Sequence, residues 1–267
     1  MINVKVVADS INRGNRLTTL ECTFHRFILP EFNTYRMWSR SAASSRAIPL
    51  SKRIEEVRAN PAIPVFWGQN QPGMVAEKEI DDSAQREAAH VWMEAAMAAA
   101  DYAEYLGNLK VHKQVSARVL EPFLWHTSVV SSTDWDNMFN QRIHPDAQPE
   151  FRALAEAMES ALNSSSPREV GFNEWHLPYI QDEERGLSLE VQRQLSVARV
   201  ARTSYLNQGK VDNSKDLALY HRLITSDPPH WAPFEMVARP VFSSSDPVAN
   251  FKGWTQMRHL LSGDHRV

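Results

Sequence analysis

The sequence predicts an α+β fold in which an antiparallel sheet, drawn from strands at both chain ends, packs against a helical part spanning residues 83–162. Three observations lead there. The opening VKVVAD, SINRGN and LTTLECTFHRF read as strand, turn and strand, with β-branched and aromatic residues on either side of a turn-forming run. Residues 83–106 are alanine-rich and free of Pro and Gly, the pattern of a long helix. PPHWAPFEMVARPVFSSSD, near the other end, is proline-bounded and β-prone.

The remaining elements follow in order. EFNTYRMWSRSAASSRAIP reads as a short helix running into a serine-rich loop that Pro49 closes. Ser51 is the expected cap of a helix reaching Arg58, and the proline-punctuated NPAIPVFWGQNQPGM is a connection. The long helix should stop at Gly107 in a left-handed C-cap; its alanines read as a close-packed surface without chemistry. Further helices are expected at 111–120, 134–142 and 149–162, the last opened by Pro149. Residues 163–187 look irregular. Ser188 should open a helix running toward the stop at Asn207 and Gly209, Ser214 should cap KDLALYHRLIT, and FKGWTQMRHLLSG reads as a last short helix. A single catalytic domain over 1–267 is expected, with residues 188–262 as its C-terminal block.

Composition narrows the function. With 43% hydrophobic and 23% charged residues the chain has the make-up of an ordinary globular protein. A net charge of −3 gives no field for a polyanion, so a nucleic acid polymer is not the expected partner, whereas a small phosphate held by local arginines is. The start MINVKVVADSINRG lacks a basic region followed by an apolar stretch, and no apolar run of about eighteen residues occurs, so no membrane partner and a cytoplasmic location are expected. The single cysteine, Cys22, excludes an intrachain disulfide and a cysteine-rich zinc site; in TLECTFHRF it has no activating neighbours and reads as a buried structural residue. Glycine-rich phosphate loops, zincin motifs and the hydrolase elbow are absent, and the ten histidines fall at no metal spacing, so no metal is expected.

Arginines recur beside small polar residues: Arg36, Arg40 and Arg46 around SRSAASSR, Arg118 in SARVLEP, Arg142 in NQRIHPDAQ. Hydroxyls and backbone N–H groups of a tight loop cradle phosphate oxygens, and a guanidinium adds a planar charged fork. The plain alternative is a set of solvated surface arginines.

Four blocks together resemble the flavin-dependent thymidylate synthases. In that family an arginine, histidine, arginine triplet precedes seven residues, a serine and an arginine; here Thr34, Tyr35 and Arg36 are followed by MWSRSAA, then Ser44, Ser45 and Arg46. ARVLEP, with Arg118 and Pro122, is similar to the family's arginine-bearing helix. NMFNQRIHPDAQPEFR is similar to its asparagine, arginine and alanine-glutamine run, aligning Asn137, Arg142, Ala147 and Gln148. ARTSY at 201–205 and HWAPFEM at 230–236 resemble a block found near the amino terminus of ordinary members. Here that block comes last, a circularly permuted, phage-like order that is physically cheap when the same contacts form with different loop closures; for a phage-encoded chain the cytoplasm would be the host's.

The resemblance implies FAD as cofactor, NADPH and methylenetetrahydrofolate as co-substrates, dUMP as acceptor, and a homotetramer with sites between subunits. It implies Arg142 and Ser44 as catalytic residues, with Arg142 facing the pyrimidine. Glu31, Ser44, Ser45, Arg46 and Arg118 would hold the nucleotide, Arg118 from a neighbouring subunit. Thr34, Tyr35, Arg36, Asn137, His230, Ala232 and Glu235 would border the flavin and folate. Thr34, Tyr35, Ala42, Glu31 and Met236 depart from the family's usual arginine, histidine, glutamate, glutamine and histidine. Two other readings stay open: a pyrimidine hydroxymethylase using the same carbon donor, and an inactive nucleotide- or flavin-binding relative. For Arg142 the plain alternative is a structural pair with Asp146 or Glu150.

Overall fold

The computed structural model describes residues 1–44, 46–205 and 211–262. In chain order its elements are β1 (Asn3–Asn12), β2 (Asn15–His25), the one-turn α1 (Leu29–Phe32), β3 (Ser39–Ala42), α2 (Leu50–Ala59), α3 (Asp82–Asn108), the short α4 (Lys113–Ser116), β4 (Trp125–Ser132), α5 (Asp136–Arg142), α6 (Pro149–Asn163), β5 (Arg168–Glu169), α7 (Leu189–Arg202), α8 (Asn213–Thr225), β6 (Ala238–Pro240), β7 (Trp254–Gln256) and α9 (Met257–Ser262).

The α+β class holds, and the opening hairpin forms as expected. Arg13 (φ 47°) and Gly14 (φ 81°) are both left-handed, giving the two-residue loop whose twist suits paired strands. The sheet itself differs from the expectation in three ways. Its order is β3-β4-β2-β1-β5, with antiparallel neighbours except for the two-residue β5, which runs parallel to β1. Among the described residues no strand in it comes from the C-terminal block: β6 and β7 pair with each other and join the rest through a bridge between Ala238 and His176. The interior strand β4 lies inside the stretch read as helical, paired residue for residue with β2 from Thr18–Ser132 to His25–Trp125.

The pleat sorts β2 and β4 onto two buried faces. Leu20, Cys22, Phe24 and Val130 pack with Phe32, Trp38, Phe151 and Leu154, beneath α6. On the opposite face Val129 meets Val200 of α7 and Met236. Burial of Cys22 pushes its thiol far above the ordinary range, with Glu21 adding to the shift, so it sits there as an inert apolar group.

Several helix boundaries move, each for a local reason. Asp81 caps α3, its carboxylate accepting from the N–H groups of Ser83 (2.9 Å) and Ala84 (3.0 Å). Gly107 stays helical, and the left-handed residue is Lys110 (φ 64°). Ser51 lies inside α2 behind Pro49, and Asp212 caps α8 in place of Ser214. Ser188 does cap α7, accepting from Val191. The 111–120 stretch divides into α4 and a 3-10 segment, Ala117–Phe123. The stop at Asn207 and Gly209 lies outside the described residues. The alanines of α3 are close-packed on one side only: Ala96, Ala100 and Ala103 meet Ile54 and Val57 of α2 and Leu120, forming a separate core.

Candidate functional site

Arg142 ends α5, where Ile143 leaves helical geometry before His144 and Pro145. A cation in the last turn suits the helix dipole. Its Nε donates to the Tyr35 hydroxyl (2.8 Å) and one terminal nitrogen to Glu31 (3.0 Å). The guanidinium also lies over the Phe151 ring, 4.7 Å from its centre. The alternative pairing with Asp146 or Glu150 does not form. Glu150 accepts from the Val65 N–H (2.9 Å) and from Gln148, while Asp146 lies 3.6 Å from His144.

Tyr35 is fixed from both sides. Its ring stacks on Trp38 (4.7 Å between centres, 24° between planes), which in turn rests on Phe32 and Trp135. The loop carrying Tyr35 leaves α1 after Pro30 starts that single turn, and the Thr34 hydroxyl donates to the Glu31 carbonyl (2.7 Å). Beside this wall opens a cavity of about 320 Å³ lined by Thr34, Tyr35, Arg36, Met37, Trp38, Asp134, Asn137, Met138 and Gln141. Asn137 and Gln141, one helical turn apart, both line it, while Arg142 sits around the side of the helix. Thus Glu31, Thr34, Tyr35, Arg36, Asn137 and Arg142, which come from two distant stretches of sequence, share one place.

A second group gathers around β3. The Ser44 N–H donates to the Ser204 carbonyl (3.2 Å), the Ser204 hydroxyl to Ala42 (3.4 Å) and the Ser41 hydroxyl to Val200 (3.5 Å), so the end of α7 grips the serine-rich strand. The 3-10 turn Ala232–Glu235 packs on β3, with Ala232 exposed and Glu235 half-buried and ion-paired to Arg258. His230 and Arg46 are exposed, and Ser45 lies outside the described residues.

Arg40 joins the two groups. Its guanidinium donates to the carbonyls of Tyr35 (2.9 Å) and Phe32 (3.4 Å) while lying in the field of Glu235. Burial draws its pKa below the ordinary value, and the Glu235 carboxylate opposes that. Sequence reasoning placed Arg40 among the clustered arginines and gave it no place in the site; Trp38, Asp134 and Gln141 had no signal. Arg118 is not brought to either group. Its hydrogen bonds run to the Gln114 carbonyl (3.3 Å) and Glu121 (2.7 Å).

The arrangement offers an aromatic wall, amides and exposed or half-exposed guanidinium groups, which suits a planar heterocycle carrying an anionic tail. A likeness in fold accompanies it. The structure is similar to the UMP/dUMP methylase PolB from Streptomyces cacaoi bound with 5-Br UMP, at 16% identity and a TM-score of 0.50, over 61% of this chain and 88% of that one. The same methylase bound with 5-Br dUMP gives 14% identity and 0.49, over 61% and 90%. The flavin-dependent thymidylate synthase ThyX from Helicobacter pylori, complexed with FAD and dUMP, gives 16% and 0.38, over 55% and 67%. No curated protein matches the sequence. Residues 17–168, more than half of the chain, match the family model described as thymidylate synthase complementing protein, and the chain belongs to that family.

Proposed function

We propose that the protein is an FAD-dependent pyrimidine-nucleotide methylase, transferring a one-carbon unit from methylenetetrahydrofolate to C5 of dUMP to give dTMP. The observation that carries this reading is Arg142, held by Tyr35 and Glu31 beside the cavity that the first and third of the four blocks line. That cavity, near the lower end of ligand-pocket volumes, fits one ring system of a dinucleotide; the rest of FAD needs surface beyond it. Thr34, Tyr35, Arg36 and Asn137 would hold the flavin there, with His230, Ala232 and Glu235 on the flavin and folate side. Bound in reduced form, the flavin supplies reducing equivalents that come from NADPH.

The chain's own residues bind and polarise. Arg142, with two nitrogens fixed, holds its positive charge toward the pyrimidine O2 and N3 and favours the electron-rich form whose C5 takes up carbon. Ser44, Ser45 and Arg46 hold the nucleotide, with Arg118 reaching its phosphate from a neighbouring subunit of a homotetramer. No thiol is needed, consistent with the inert Cys22.

The block order is that of a circularly permuted relative. In its support, residues 201–205 and 232–235 pack against β3, so the last block in sequence is a spatial neighbour of the first. The reaction is tested by the visible spectrum of the purified protein, tritium release from C5-labelled dUMP and the product mass. Flavin absorbance with a methyl product supports the reading. A product heavier by one oxygen assigns a hydroxymethylase, and bound flavin without tritium release assigns an inactive relative.

A further inference from the structure

Arg118 is held inside its own chain, and the residue that holds it also holds a second arginine. One carboxylate oxygen of Glu121 accepts from Arg118 Nη1 (2.7 Å) and from Arg26 Nη2 (3.1 Å). Arg26 opens the 3-10 turn that follows β2, whereas Arg118 and Glu121 stand one turn apart on the 3-10 segment Ala117–Phe123. Two guanidinium groups from distant stretches of sequence therefore converge on a single oxygen atom.

Arg26 is fixed from behind. Its backbone N–H donates to the Leu124 carbonyl (2.9 Å), and its other terminal nitrogen, Nη1, donates to Nδ1 of His126 (3.0 Å). His126 is buried, and burial followed by Arg26 and Arg53 lowers its pKa to about 3. The imidazole is thus neutral at physiological pH and keeps a lone pair for that bond. Beside the shared oxygen opens a cavity of about 330 Å³, lined by Arg26, Glu121 and Asn33 among apolar residues.

We propose that Arg26 and Arg118 form a fork for a phosphate group, which Glu121 occupies while the fork is empty; the proposal rests on the reaction above, in which Arg118 meets the nucleotide phosphate. A phosphate oxygen that takes Arg118 from Glu121 stands where the Glu121 oxygen stood, and so comes within hydrogen-bond reach of Arg26. Arg26 is then a second phosphate-binding residue, although it lies in none of the four blocks. Charge favours the exchange. The two guanidinium groups face one carboxylate, whereas a phosphate monoester brings about two negative charges and matches the planar donor pairs of arginine. Glu121 gives way at little cost, because its side chain is 29% exposed and that of Arg118 53%, and pairs so open to water contribute little. The adjoining cavity gives the displaced carboxylate room to turn aside.

The test is isothermal titration calorimetry of the purified full chain with dUMP, deoxyuridine and inorganic phosphate. The ratio of the dUMP and deoxyuridine affinities reads the phosphate contact alone. Arg26→Gln should lower that ratio roughly tenfold or more, the scale of one charged hydrogen bond, and leave deoxyuridine binding unchanged. Arg26→Lys should recover only part of it, since an ammonium lacks the fork that meets His126 and a phosphate oxygen at once. Glu121→Gln should raise the affinity for dUMP and for inorganic phosphate, and the gain should shrink when Arg26→Gln is added. An Arg26→Gln protein that melts earlier but keeps the parent ratio makes Arg26 a structural tie between Glu121 and His126 and overturns the proposal. So does a Glu121→Gln protein with unchanged phosphate affinity, or a parent that binds neither dUMP nor phosphate. A parent that binds inorganic phosphate through Arg26 without preferring dUMP to deoxyuridine would instead overturn the nucleotide reading and leave the fork standing.

Discussion

At the scale of single residues, the proposed function turns on Glu31 and Arg142. Replacing Arg142 with alanine should lower turnover on the order of a hundredfold or more, the loss typical of one preorganised electrostatic group, while bound flavin persists. Lysine should rescue poorly, because a point charge lacks the planar fork that meets Tyr35 and Glu31 at once. Turnover normalised to bound flavin decides this, and near-normal activity of Arg142→Ala would refute the role. Glu31 stands where the family uses a glutamine, and in the proposed site its carboxylate, 3.0 Å from Arg142, would compete with an anionic nucleotide for the same guanidinium. Glu31→Gln should therefore lower the KM for the nucleotide. Its melting temperature should barely move, since so exposed a pair contributes at most about 1 kcal/mol. An unchanged or raised KM would count against competition.

Among the elements, α7 is where stability meets the site. Arg199 is buried with Glu184, Asp216 (3.2 Å) and Asn213 (2.9 Å), and Arg202 lies 2.8 Å from Asp216. The 3-10 turn that follows the helix carries Ser204, which holds the backbone of Ser44. Asp216→Ala should destabilise by roughly 3–5 kcal/mol, the cost of leaving buried charge without its partner. Denaturant melts measure it, and a change under about 1 kcal/mol would mean that the arginines find other partners. This cluster was not legible in the sequence, because its members come from three segments with no shared spacing. The opening hairpin, α3, α5, α6 and the cap at Ser188 were legible, each written in local chemistry. β3 and β4 were hidden by serine: Ser39, Ser41, Ser128, Ser131 and Ser132 are buried, and satisfy themselves by hydrogen bonds that hydrophobic periodicity does not register. At the site, Tyr35 and Arg142 were named from sequence, but the linking role of Arg40 depends on carbonyls brought close by the turn before β3.

Across the whole molecule, two buried histidines join distant parts. His176 sits between Thr19 (2.7 Å) and Ser10 (2.9 Å) on the sheet, and its backbone pairs with Ala238 of the C-terminal hairpin. Burial lowers its pKa to about 3, and burial followed by Arg26 and Arg53 does the same for His126. Unfolded, both titrate near 6.5, so between about pH 6.5 and 3 the unfolded chain binds protons that the folded chain refuses. Stability is full above that window and should fall with pH through it, by up to about 1.4 kcal/mol per unit for each histidine. Denaturant midpoints from about pH 7 to about pH 4 test this; His176→Gln should flatten the slope, and an unaltered slope would discount His176. The burial of Cys22 in the middle of β2 has a practical corollary. A thiol reagent added to the native protein can react only when the central strands separate, so the rate of labelling becomes a clock for whole-sheet opening. Because the chain has no second cysteine, a dye or spin label attached through one introduced at the surface would report from that position alone.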